Sequence, residues 1–198
     1  LNQNNIRVNP NSNFSGFDLY STLAHEGFPG HLYQNIFYSN TDYNLFRNLF
    51  GFIGYTEGWA LDAQMNAMSL VSNQKEEVVD IINILENYYF FEYGIIEMGI
   101  QYYGWTVNDV VSFLKSNNMQ PLMEYIRFYD EYKTAGYTLI DLVAYFESSV
   151  YVDYANSLYE WVLDMPGAYC NYSVGYAYLT KYKNMAMAAL GDDFNSQD

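Results

Sequence analysis

Between residues 25 and 31 the chain reads His25-Glu26-Gly27-Phe28-Pro29-Gly30-His31, and its 198 residues hold no other histidine. Pro29 governs what this stretch can become. Its ring clashes with the carbonyl of residue 25 and it brings no N–H to that carbonyl, so a regular helix cannot run through. Phe28 is pushed out of the right-handed helical region, and Gly30 tolerates unusual dihedrals. In an unbroken helix, six residues at about 100° each would leave His31 roughly 120° around the axis from His25. A kink or extra turn at Pro29-Gly30 swings His31 back toward His25.

That juxtaposition has a chemistry. A neutral imidazole is a zinc ligand, and a glutamate beside one can serve as general base to a zinc-activated water. In the zincin pattern His-Glu-x-x-His the second ligand comes four residues after the first. Here that slot is Pro29 and the second histidine comes at six, which reads as a distorted form of the pattern. The plainer alternative is a kinked helix carrying two half-buried histidines that bind nothing.

The chain is 51% hydrophobic and 20% aromatic, far too apolar for disorder, and its length suits one domain with a sizeable core. Twenty-three acidic residues against eight basic ones give a net charge of −15, which argues against nucleic acid or an anionic membrane as partner. No apolar run reaches the roughly 18 residues that span a bilayer. Cys170 stands alone, so no internal disulfide forms.

The periodicity is that of a mainly α chain. Residues 1–16, rich in Asn, Ser and Gly, read as a loop with a possible edge strand at Ile6–Asn9. Residues 17–198 read as one helical domain. A first helix starts near Asp18 or Ser21, passes through the motif and continues to Ser39–Asp42. A second covers about Leu45 to Leu70, with Thr56 as a cap within it and Glu57 in the first turn that follows. Asn73 opens a third that ends near Gln101. Thr106 and Asp109 form a capping box, and Pro121 sits in the first turn of a further helix. Residues 138–163 read as helix, with Val150–Val152 equally consistent with strand. The last helix is expected from Val174 to Leu190 after a break at Pro166-Gly167.

Catalytic zinc commonly takes three protein ligands, so a carboxylate or Cys170 must join the histidines. Glu57 is the strongest candidate: it lies on a helix long enough to pack on the motif, and Gly58 beside it permits close approach. Glu57 could instead simply favour a helix N-terminus.

The segment from His25 through His31-Leu32-Tyr33-Gln34, with Glu57-Gly58-Trp59-Ala60-Leu61, resembles the two signature blocks of a bacterial family, domain of unknown function 885 (DUF885), a gluzincin-like group of zinc peptidases. Gly99–Thr106 and Pro166–Tyr176 are similar to its later blocks. The resemblance implies a multi-helix, zincin-like metallopeptidase domain, the C-terminal part of a longer protein, with Zn2+ on His25, His31 and Glu57 and with Glu26 as base. It implies a peptide substrate and is compatible with an extracytoplasmic, secreted or lipoprotein setting. Tyr169, Tyr172 and Tyr176 in the last block are candidates to stabilise the oxyanion. Gln101 stands where the family usually has histidine, and Asp62-Ala63-Gln64 where it often has Tyr-Ala-Glu. Those differences point to altered substrate handling rather than altered metal binding. Three other readings remain: a non-catalytic zinc-binding module recognising peptide or cell-surface polymer, a zinc hydrolase of a non-peptide amide or ester, and a metal-free helical interaction domain.

Overall fold

A computed structural model describes residues 6–11, 16–41, 46, 49–72, 75–117 and 119–195. The chain is mainly α, and no strand occurs among the described residues. Its helices are α1 (Gly16–Glu26), α2 (His31–Ser39), α3 (Ile53–Met68), α4 (Glu76–Gln101), α5 (Val107–Asn117), α6 (Gln120–Arg127), α7 (Tyr129–Ala135), α8 (Leu139–Tyr145), α9 (Tyr151–Asp164) and α10 (Ala168–Leu190). A π-helical turn, Phe146–Val150, joins α8 to α9.

α3 is the hub. It buries Ala60, Leu61, Ala63, Met65, Ala67 and Met68, so apolar groups cover most of its circumference, as in a helix surrounded by others. α10 packs along it most extensively, with α1, α2 and α4 also against it. The α3–α10 crossing is very close. A Cβ on Gly58 or Gly175 would run into the other helix's backbone, so both positions are limited to glycine. Beyond α4 lies a second layer. There Tyr93, Ile96 and Ile100 meet Val110 and Leu114 of α5 and Tyr151, Ala155, Leu158 and Val162 of α9 in one apolar core.

Several boundaries differ from expectation, each for a physical reason. Ile6–Asn9 is not a strand: no strand is present among the described residues to pair with it, and Ile6 instead lies over Gly27. The motif does not sit within one kinked helix. α1 ends at Glu26, a turn occupies Gly27–Gly30, and His31 opens α2. α3 begins at Ile53, so Thr56 is inside it and its hydroxyl donates to the Phe52 carbonyl instead of capping. Val150–Val152 is helical. α10 begins at Ala168, six residues before Val174, because the Glu97 carboxylate accepts the N–H groups of Gly167 and Cys170 and so caps its start. The capping box at Thr106 and Asp109 is formed, and Pro121 lies in the first turn of α6. Leu45, Asp42 and Asn73, expected at helix ends, lie outside the described residues.

Candidate metal centre

The turn between α1 and α2 does what the sequence required of it. The Gly30 N–H donates to the Ala24 carbonyl at 3.0 Å, drawing the chain so tightly back that a Cβ on Gly30 would collide with the Ala24 and His25 carbonyls. The Phe28–Pro29 peptide is cis. Trp59 of α3 donates its indole N–H to the Pro29 carbonyl at 3.1 Å, tying the turn to the hub helix. His31 thereby returns to His25, with ring centroids 4.7 Å apart and planes at 90°.

Glu57 closes the arrangement. Its Oε2 lies 3.3 Å from His25 Nε2 and 3.4 Å from His31 Nε2. Burial pushes its carboxyl upward in pKa, but the hydrogen bond from His25, the charges of both imidazoles and a hydrogen bond from Tyr172 outweigh this and hold it below the ordinary range. Glu26 sits at the exposed end of α1, and His25, Glu26 and His31 each bring a ligand atom within 4.8 Å of one another.

The three tyrosines separate. Tyr172 belongs to the site: its ring stacks 5.9 Å from His25 and its hydroxyl bonds Glu57. Burial, then the Glu57 charge and hydrogen bond, push that hydroxyl up to about 12. Tyr169 faces away, stacked 4.5 Å from Tyr93 against the second core. Tyr176, one turn beyond Tyr172, neighbours Phe91, Asn87 and Asp62. Cys170 bonds to α4 through its backbone N–H and its thiol, so it does not join the histidines.

Behind His25 runs a polar chain that motif reading missed. His25 Nδ1 contacts Gln64 Oε1 at 3.0 Å, Gln64 Nε2 donates to Glu86 Oε2 at 3.2 Å, and Glu86 Oε1 accepts from Arg127 at 3.0 Å. Arg127 pairs again with Asp18 of α1 at 3.2 Å. Arg127 and Asp18 thus fix Glu86, and Glu86 fixes which end of the Gln64 amide faces His25. The signal was present in the spacing: residues 57 and 64 are two helical turns apart, on one face of α3. Gln64 therefore stands directly beside the candidate metal centre. Gln101 has a structural task, donating to the Val162 carbonyl at 3.0 Å.

This chain tests whether zinc fits. An amide oxygen only accepts, so His25 Nδ1 carries a hydrogen, and Nε2 either carries a second one, which it gives to Glu57, or presents a lone pair. Nε2 faces a carboxylate oxygen at 3.3 Å, so a proton or a metal cation must lie between the two. Two Nε2 atoms within 3.4 Å of one carboxylate oxygen, with the far nitrogen of one imidazole held by an acceptor, form a donor set that zinc would fit. His31 lacks such support among the described residues, where its buried Nδ1 meets no hydrogen-bond partner.

Residues 4–135 match the family model described as a bacterial protein of unknown function, DUF885. The chain belongs to this family. The matched span holds both signature blocks and the whole polar chain, while the segment Pro166–Tyr176 lies beyond it. No curated protein and no solved structure matches the chain. Among the described residues no helix is long and apolar enough to cross a membrane.

Proposed function

We propose that this DUF885 chain is a zinc-dependent hydrolase of peptide bonds. The observation that carries the reading is the convergence of Glu57 Oε2 on His25 Nε2 and His31 Nε2, with His25 Nδ1 held by Gln64. His25, His31 and Glu57 would hold the ion. Bound there, zinc supplies a Lewis acid that polarises the scissile carbonyl and lowers the pKa of the attacking water.

The two carboxylates take different tasks because their surroundings differ. Glu57 is half-buried, bonded by His25 and Tyr172, and suited to a fixed ligand. Glu26 is exposed at the end of α1 and close to both histidines, which suits a group that takes a proton from the attacking water and passes it to the leaving amine. Tyr172 brings a hydroxyl donor to the same point, where it steadies charge growing on the carbonyl oxygen.

The test is metal content by plasma mass spectrometry, followed by a peptide-library assay. The expectation is about one zinc per chain in the wild type, lost in both His31→Ala and Glu57→Ala. Glu26→Gln should keep its zinc while hydrolysis falls by about 10²- to 10⁴-fold. A wild-type protein that takes up no zinc at neutral pH overturns the reading. Zinc uptake with hydrolysis unchanged in Glu26→Gln removes the assigned base.

A further inference from the structure

Away from the histidines, α4, α6, α7, α8 and α9 line an open-sided cavity of about 720 Å³. That is the size of a small-molecule site. Tyr89, Tyr93, Tyr132, Tyr137, Tyr145 and Tyr154 line it, so its walls are largely aromatic. The charges in the wall are one-sided. Arg127 is the cation, and Asp18 and Glu86 already neutralise it at 3.2 and 3.0 Å. Glu124 and Asp141 also line the space, and both are acids whose contacts are with neutral donors: Tyr132 for Glu124, Thr138 for Asp141.

Among the described residues that line this cavity, an anion would meet no uncommitted positive charge. A cation would meet two carboxylates and the electron-rich faces of tyrosine rings. The wall already contains one such pairing, with the Arg127 guanidinium carbon 5.5 Å from the centre of the Tyr89 ring. We propose that this cavity is a binding site for an organic cation with an aromatic or aliphatic body, the body lying among the tyrosines and the charge near Glu124 and Asp141. The proposal is independent of the metal reading.

The experiment compares two dyes that brighten in apolar surroundings: berberine, a rigid aromatic cation, and anilinonaphthalene sulfonate, an aromatic anion. Both are titrated into the full chain. Berberine should bind one per chain, at least about tenfold more tightly than the anion. Glu124→Gln and Asp141→Asn, which keep side-chain shape, should each weaken berberine by about 3- to 10-fold. Because the whole surface is acidic, location needs its own control. Leu142, buried in the cavity wall, is replaced by tryptophan to fill the space, and Leu142→Trp should abolish the one-to-one phase. Should that variant fail to melt cooperatively, the two charge variants decide. Equal binding of the two dyes, berberine binding unchanged in the charge variants, or its survival in a folded Leu142→Trp protein would each overturn the proposal.

Discussion

Glu86 and Glu97 stand eleven residues apart on α4, three turns along one face, and both are buried. They solve the same problem, a carboxylate out of water, in different ways. Glu86 faces a guanidinium and an amide, and passes direction through Gln64 to an imidazole. Burial still raises its carboxyl, against the pull of Arg127. Glu97 faces two backbone N–H groups and anchors the start of a helix. One carboxylate sets the angle of a side chain; the other sets where α10, and Tyr172 on it, begins. Polar chains are directional and carry orientation, whereas a cap on a helix end carries position and stability.

The largest effect expected from this contrast is on Glu97. Glu97→Ala leaves the partly buried Gly167 and Cys170 N–H groups without their acceptor, at a cost of about 1–3 kcal/mol by urea denaturation. Zinc affinity should stay within about threefold of wild type, since none of the proposed metal ligands is on α10. A large loss of zinc in this variant would erase the distinction between the two glutamates.

Next comes the chain behind His25. Gln64→Leu removes the acceptor for Nδ1–H, and zinc affinity should fall about 10- to 100-fold by competition with a chelating dye, the usual scale for losing such a supporting contact. Stability should change by only about 1 kcal/mol, because Glu86 keeps Arg127. Unaltered affinity would show that the tautomer of His25 needs no help.

The smallest perturbation leaves the fold untouched. Burial, then the hydrogen bond and charge of Glu97, push the Cys170 thiol up to about 12. A raised thiol pKa means less thiolate at every pH below it. Alkylation at pH 8 should therefore run at least about a hundredfold slower than in the urea-unfolded chain. Glu97→Gln should speed it, because the negative charge beside the sulfur is gone. Rapid alkylation of the native protein would place Cys170 outside the shelter of α4.

Much of the site was legible because its strongest constraints are local. Pro29 forbids a continuous helix and Gly30 permits the tight return, so the meeting of His25 and His31 follows from a seven-residue stretch. Gly58 beside Glu57 announced a close helix crossing, and Gly175 is the partner that meets it. The misread boundaries belong to contacts between distant segments. The start of α10 depends on Glu97, seventy residues before Gly167, and Val150–Val152 is β-branched and aromatic yet helical, with no sheet among the described residues to join.

The sequence by itself determined a mainly α chain, a forced turn between two histidines and a strongly acidic net charge, since each follows from backbone sterics, periodicity or residue count. Only the tertiary structure decided that Tyr172 and not Tyr169 or Tyr176 meets Glu57, and that Gln64, Glu86, Arg127 and Asp18 stand in line behind His25. The physical reason is reach. Local rules act over a few residues, but which face of α10 meets α3, and which arginine finds Glu86, is fixed only when helices from opposite ends of the chain pack together.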